Sequence, residues 1–153
     1  MFQIVLVEPQ IPQNTGSIAR MTAATGCILH LIEPTKFQIT DKNVKRAGLD
    51  YWPEVKLKIH KDWQAFLVAE SPQVDQLWFF TTKGQAPYYK ANFKAGDFLV
   101  FGSETQGLSP WFHQNYTDRR LVIPMDNPNI RSLNLATSAG IVLYEARRQV
   151  AMR

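Results

Sequence analysis

The sequence predicts an α/β domain, over residues 1–153, with a mostly parallel sheet flanked by helices. Short apolar segments recur along the chain, and segments with helical spacing separate several of them. The first unit is a strand, a helix that stops at Gly26 and a second strand, all within about thirty residues. Because a strand–helix–strand unit of this kind places its two strands side by side, the sheet should be parallel there.

The remaining elements follow from the same patterns. Predicted strands, in chain order, are residues 2–8, 28–32, 55–59, 76–80, 97–101 and 120–123. Predicted helices are residues 17–25, 62–69, 109–115 and 132–150, with a short one at 41–48. Asn14 or Thr15, in a turn over residues 12–16, can cap the first helix. Residues 85–96 have no clear pattern and are expected to form a loop or short irregular pieces.

Composition excludes several classes of protein. No apolar run approaches the roughly 20 residues that span a bilayer, and the N-terminus lacks the features of a signal peptide. The single cysteine, Cys27, cannot form an internal disulfide, and we expect it to be a small buried residue in a cytoplasmic protein. His30, His60 and His113 have no second ligand at metal spacing, so no metal site is expected. The net charge of +4 is compatible with a polyanionic partner.

Three predicted loops follow the carboxyl ends of strands, which is the edge where open α/β sheets bind ligands. They are Thr81–Gly84, Gly102–Gly107 and the segment from Pro124 to Ser132. Their glycines permit a flat ligand to approach the backbone closely. Neither a dinucleotide fingerprint nor a phosphate-binding loop is present. The glycines could instead serve the turns alone.

Four segments carry a resemblance to a known family. They are residues 8–20, 46–51, 101–108 and 123–135. In this order they resemble the motifs of the SPOUT methyltransferases and, within them, the tRNA (cytidine/uridine-34-2'-O)-methyltransferases. The similarity extends over essentially the whole chain. It implies methylation of the ribose of the tRNA wobble nucleotide, in the anticodon stem-loop, with S-adenosylmethionine as the methyl donor and no metal.

The resemblance also implies a fold and a set of site residues. The fold is a SPOUT fold with a C-terminal trefoil knot in about residues 77–150, and the enzyme is a homodimer whose site uses both chains. The implied cofactor-binding residues are Phe80, Thr81, Gly84, Gly102, Glu104, Ile123, Met125, Ser132, Leu133 and Asn134. The implied catalytic residues are Arg20, Asn14, Arg131 and Tyr144.

Several of these residues have a structural alternative. Arg20 is either an ordinary surface arginine or the group that grips the target phosphate and hydroxyl; as a guanidinium it is a poor base. Asn14 and Asn134 could be helix caps, and Glu104 could bond its own turn. The basic residues Lys42, Lys45 and Arg46 lie near two aromatic residues, an arrangement that suits single-stranded RNA but is also typical of a solvated helix face.

Two other functions stay open at this point. The cofactor motifs do not encode the target, so a SPOUT 2'-O-methyltransferase for another tRNA or rRNA position is the first alternative. The second is a non-catalytic RNA-binding module with the same fold. The combination of Asn14, Arg20, Glu104 and Asn134 argues against such a module, because it would not need these residues.

Overall fold

The computed structural model describes residues 1–38 and 51–152. Within these ranges a seven-stranded sheet forms the centre of the molecule, in the order β3-β2-β1-β6-β4-β7-β5. The strands are β1 (Gln3–Val7), β2 (Ile28–Ile32), β3 (Lys56–His60), β4 (Leu77–Phe80), β5 (Ala86–Pro87), β6 (Phe98–Phe101) and β7 (Arg120–Val122). Every strand pairs with its neighbours in parallel, which confirms the predicted fold class.

Four α-helices cover the two faces of this sheet in the described residues. They are α1 (Pro12–Thr25), α2 (Trp63–Glu70), α3 (Pro110–Asn115) and α4 (Leu135–Ala151). Helices α1 and α4 contribute Ile18, Ala139 and Leu143 to a core cluster on one face, while α2 and α3 contribute Phe66 and Phe112 to a second cluster on the other face. None of the helices has the length and apolar content needed to cross a bilayer.

Helix α1 begins earlier than the sequence patterns predict. Asn14 and Thr15 lie inside its first turns, and the residue that precedes it, Ile11, makes no side-chain capping bond. The prediction of a turn at residues 12–16 was wrong because Pro12, whose ring fixes a helical φ, occupies the first helical position. The predicted stop at Gly26 is confirmed, since this residue has a left-handed φ of 72°.

The boundaries of the other described elements lie within three residues of the predictions, and the helix predicted at residues 41–48 lies outside the described residues. Asp62 precedes α2 and its carboxylate accepts a hydrogen bond from the Ala65 N–H at 2.8 Å, as a helix cap does. The two-residue strand β5 falls inside the segment predicted as a loop. It was missed because two paired residues leave no periodic pattern in the sequence. Cys27 is buried, as predicted.

Candidate active site

A cavity opens where the segments that follow β4, β6 and β7 meet, at the carboxyl edge of the sheet. Its walls come from the segments 80–83, 101–108, 122–125 and 131–138, together with His113 of α3. The three loops predicted from sequence therefore form one site. This is the edge at which parallel α/β sheets bind their ligands.

The first wall is the loop after β4, and it lies against β7 without intervening side chains. A Cβ atom at Gly84 would lie 2.3 Å from the carbonyl carbon of Leu121, so only glycine fits there. The Thr81 N–H donates to the Leu121 carbonyl at 3.0 Å. On the cavity side, Thr81 Oγ1 lies 2.9 Å from His113 Nε2. His113 Nδ1 faces the Ser109 carbonyl at 3.1 Å and donates to it, which holds the ring beside Thr81.

The second wall, residues 102–108, folds back on itself. The N–H of Gly107 donates to the Ser103 carbonyl at 2.9 Å, and Gly107 has a positive φ of 64°. Gly102 lies so close to this turn that a Cβ atom would be 2.1 Å from the Gly107 carbonyl carbon. The loop thus presents backbone groups, more than side chains, to the cavity.

Glu104 ties this second wall to the start of α1. Its carboxylate accepts hydrogen bonds from the N–H groups of Gln10 at 2.7 Å and Ile11 at 3.1 Å. Of the two roles considered for Glu104, bonding its own turn is not observed; it bonds the segment that leads into α1. The position of α1, which carries Arg20 and Asn14, is therefore coupled to the cavity wall.

The third wall connects β7 to α4 and is also bonded to its neighbours. Arg131 donates to the Thr105 carbonyl at 3.0 Å, which links the second and third walls. Asn134 caps α4 by accepting from the Thr137 N–H at 3.1 Å, and its side-chain N–H group donates to Asn14 Oδ1 at 3.0 Å. Capping and a link to α1 are therefore both properties of Asn134. Asn14 caps no helix; its side chain is buried at this junction.

Most of the predicted cofactor-binding residues line the cavity. They are Phe80, Thr81, Gly102, Glu104, Ile123, Met125, Ser132 and Leu133, and the predicted catalytic residue Arg131 joins them. Gly84 and Asn134 lie beside the walls, where they set the backbone path and the helix start. Sequence reasoning missed His113 and Ser138, which line the cavity from helices. His113 could have been found only by knowing that α3 packs beside the Thr81 loop.

The other predicted catalytic residues lie outside the cavity of their own chain. Arg20 is exposed on α1, and its guanidinium carbon lies 5.7 Å from the centre of the Tyr51 ring. The Tyr51 hydroxyl donates to the Gly16 carbonyl at 3.0 Å, so the ring is fixed to the same helix. Tyr144 is 55% exposed on α4, with the Arg147 guanidinium over its ring. The proposed RNA-binding residues Lys42, Lys45 and Arg46 lie outside the described residues.

The arrangement suits a ligand that has both a flat apolar part and several polar groups. Phe80, Ile123 and Leu135 supply apolar wall, while the glycine-bearing loops bring backbone N–H and C=O groups to the opening. Glu104 and Arg131 are charged residues that line the cavity, and both are held by hydrogen bonds to backbone groups. A nucleoside-like cofactor has this combination of a flat base and polar sugar.

Comparison with known proteins gives consistent results at the level of sequence and structure. A tRNA (cytidine(34)-2'-O)-methyltransferase of Burkholderia pseudomallei is 45% identical over 150 residues, covering 97% of this chain and 96% of the relative. A solved structure concerned with the 2-OH methylation of C/U34 on tRNA superposes with a TM-score of 0.92 at 44% identity, over 100% of this chain and 98% of that one. The fold is also shared, at 24% identity and a TM-score of 0.84, with the SpoU methyltransferase AviRb from Streptomyces viridochromogenes in complex with AdoMet; the match covers 96% of this chain and 57% of AviRb.

Family membership follows from a match that includes every wall of the cavity. The sequence matches the SpoU rRNA Methylase family over residues 1–144, from β1 to the middle of α4. This chain therefore belongs to the SpoU rRNA methylase family.

Proposed function

We propose that the protein transfers the methyl group of S-adenosylmethionine to the ribose 2'-hydroxyl of nucleotide 34 of tRNA, a cytidine or uridine derivative. The observation that carries the proposal is the 45% identity over 97% of the chain to a tRNA (cytidine(34)-2'-O)-methyltransferase. The matched region includes both α1 and the cavity, so it extends over the substrate side of the site as well as the cofactor side. Bound S-adenosylmethionine supplies an electrophilic methyl carbon.

The chain's own groups hold the cofactor mainly through the backbone. Phe80 and Thr81 form one side of the cavity, and Gly102 and Glu104 form a second. The remaining proposed contacts form a third side. The remaining contacts are Ile123, Met125, Ser132 and Leu133. Arg131 ties the second wall to the third, and Glu104 and Asn134 tie these two walls to α1 and the segment before it. The cavity is therefore held in shape before the cofactor enters.

Arg20 acts on the substrate. A ribose hydroxyl is a weak acid, so the site must align it with the methyl carbon and stabilise the negative charge that develops on its oxygen. The Arg20 guanidinium, which stays protonated, supplies positive charge and grips the adjacent phosphate. Asn14 positions the segment that carries Arg20, since its side chain accepts from Asn134 at the wall of the cavity. Arg131 adds positive charge at the cavity itself.

The functional unit is a homodimer in this proposal. Arg20 is exposed and is not among the residues that line the cavity of its own chain in the described ranges, so a second chain brings it to the cofactor. Tyr144, exposed on α4, contributes from the same interface. The substrate is the anticodon stem-loop in the cytoplasm, gripped by Lys42, Lys45 and Arg46.

We also infer a trefoil knot within residues 77–150 of one domain that spans residues 1–153. Two close approaches support the inference. At Gly84 the backbone lies so close to β7 that a Cβ atom would not fit between them. At Gly102 it lies equally close to the Gly107 turn. Chain segments that cross without intervening side chains are what a tightly drawn knot requires.

Methyl transfer to tRNA tests the proposed function. The full-length protein is incubated with methyl-labelled S-adenosylmethionine and unmodified bulk tRNA, and labelled fragments are mapped by nuclease digestion and mass spectrometry. We expect label on the ribose of nucleotide 34. Label at another nucleotide would keep the enzyme class and remove the position, and no transfer to any tRNA would refute the activity.

Arg20→Ala separates the substrate role from the cofactor role. We expect transfer to fall at least about 100-fold, as for the loss of one group that stabilises developing charge, while the dissociation constant for S-adenosylmethionine changes little. Lys36→Ala, which removes a cation from the loop after β2, is the matched control and should keep its activity. Transfer by Arg20→Ala at the wild-type rate would show that the assigned role is wrong.

A further inference from the structure

We propose that His30, His60 and Glu70 form a binding site for one divalent transition-metal ion of the zinc type. These three residues, the histidine cluster, lie on β2, on β3 and at the last residue of α2. They sit at the edge of the sheet opposite to β4, β7 and β5, away from the cavity. Nothing in the proposed methyl transfer uses them.

The donor atoms are already close to a coordination geometry. His30 Nδ1 lies 3.0 Å from His60 Nε2 and 4.0 Å from Glu70 Oε1, and one potential ligand atom from each residue lies within 4.8 Å of the others. Two ligands on a tetrahedral zinc ion, each bonded at about 2.0–2.2 Å, are about 3.3–3.5 Å apart. Shifts of less than about 1 Å in flexible side chains would therefore bring the three atoms around one ion.

The surroundings of His30 match those of a metal-bound histidine. His30 Nε2 faces Gln3 Oε1 at 2.8 Å; the amide oxygen can only accept, so Nε2 carries the proton and the lone pair is on Nδ1. Metal-bound histidines usually donate their second ring N–H to such an oxygen, which fixes the tautomer.

Without metal, the two histidines are joined by a hydrogen bond that a metal ion can replace. His60 Nε2–H donates to His30 Nδ1 when both rings are neutral. Moving the His60 proton to its other nitrogen exposes a second lone pair, and neutral imidazole exists in both tautomers. Two nitrogens and one carboxylate oxygen suit zinc, whereas magnesium prefers oxygen ligands alone.

Lys58 sets the strength of the site. Its Nζ donates to both oxygens of Glu70, at 3.0 and 3.1 Å. The ammonium group therefore competes with the metal ion for the carboxylate, and its positive charge also repels the metal ion. This predicts opposite effects of two neighbouring substitutions, because Glu70→Gln removes a ligand and Lys58→Gln removes a competitor.

The fold creates this cluster from residues that are distant in sequence. His30 pairs in register with Lys58, and Ile32 pairs with His60, so the two histidines share the sheet face that α2 covers. The expectation from sequence that no metal site exists was based on spacing along the chain. A separation of thirty residues between the histidines is bridged by one strand pairing.

Zinc titration of the full-length, untagged protein tests the proposal. The protein is treated with chelator, dialysed, and titrated with zinc chloride and separately with magnesium chloride by calorimetry. We expect one zinc ion per chain and no magnesium binding at that site. Glu70→Gln should weaken zinc binding at least about tenfold, and Lys58→Gln should strengthen it severalfold. Lys90→Gln, an exposed lysine near β5, is the control for Lys58→Gln and should bind as the wild type does.

Cobalt(II) absorption provides a second measurement that does not depend on whether the Glu70 and Lys58 variants fold. A site with two imidazoles and a carboxylate should give the intense visible bands of four-coordinate cobalt, and these should persist in His113→Gln, which removes the histidine of the cavity. The absence of saturable zinc binding in the wild type would overturn the proposal. So would a Glu70→Gln variant with wild-type affinity, or a cobalt spectrum that disappears in His113→Gln.

Discussion

The cavity and the histidine cluster are two places where the same parallel sheet brings polar groups together, and they do so differently. At the cavity the polar groups are mostly backbone N–H and C=O groups in glycine-bearing loops, open to solvent. At the cluster they are side chains, and the His30 ring is completely buried. The cavity is at the carboxyl ends of β4, β6 and β7, whereas the cluster lies on the face of β2 and β3.

The two regions are therefore disrupted by different kinds of substitution. Loops that approach one another without side chains depend on the absence of a Cβ atom, so adding one carbon disrupts them. A buried set of polar side chains depends on mutual hydrogen bonding, so removing one member leaves its partners unsatisfied. Substitutions at the cavity should therefore alter binding and transfer, and those at the cluster should alter stability.

Gly102→Ala should have the largest effect. Its Cβ atom would lie 2.1 Å from the Gly107 carbonyl carbon, so the second wall of the cavity must move. Overpacking of this kind costs about 3 kcal/mol, and we expect affinity for S-adenosylmethionine, measured by calorimetry, to fall about 100-fold.

Gly140→Ala is the matched control for Gly102→Ala. Its Cβ atom would meet only Met21 Sδ, at 3.7 Å, which is ordinary contact between α4 and α1. This variant should bind the cofactor normally and be more stable by up to about 1 kcal/mol, since alanine favours the helix. Equal cofactor affinity of the two variants would contradict the description of the cavity wall.

His30→Leu tests the other side of the comparison. The change removes the acceptor of the His60 N–H and the donor to Gln3. We expect the free energy of unfolding, measured with urea in the presence of chelator, to fall by about 2–4 kcal/mol. Cofactor affinity of the folded variant should stay unchanged, because the cluster is on the opposite edge of the sheet. A large loss of cofactor affinity would show that the histidine cluster and the cavity are energetically coupled, contrary to this description.

The two regions also differ in how far the sequence predicts them. The cavity loops were located correctly because glycines and strand ends are local signals, and motifs within one loop, such as residues 101–108, stay together in the fold. His113 was missed since its contact with Thr81 joins α3 to a loop thirty-two residues earlier. The histidine cluster depends on the register between β2 and β3, which no local pattern specifies.

The start of α1 shows a further limit of local patterns. Asn14 and Thr15 are residue types that favour helix caps, and the sequence therefore suggested a later start for the helix. In the structure the segment before Pro12 is held by Glu104, ninety-three residues away from Ile11. A long-range contact thus holds the start of α1, where a local helix cap would otherwise do so.

Glu104→Gln tests this contact. The carboxylate accepts two backbone N–H groups, and an amide would direct its own N–H group at one of them. We expect the free energy of unfolding to fall by about 1.5–3 kcal/mol, and methyl transfer to fall about tenfold as α1 loses its fixed position. Glu54→Gln, an exposed glutamate before β3, is the control and should leave both quantities unchanged. Loss of stability without loss of transfer would show that α1 is positioned by other contacts.

Asn134→Ser should have the smallest effect and separates the two roles of this residue. Serine can still cap α4 by accepting from the Thr137 N–H, but its side chain is too short to replace the 3.0 Å bond to Asn14. We expect the free energy of unfolding to fall by about 1 kcal/mol, as for the loss of one hydrogen bond, and transfer to fall about fivefold. Asn134→Ala loses the cap as well and should be less stable by about a further 1 kcal/mol. If the serine variant transfers methyl groups at the wild-type rate, the bond between Asn14 and Asn134 serves the fold alone, and Asn14 has no part in positioning Arg20.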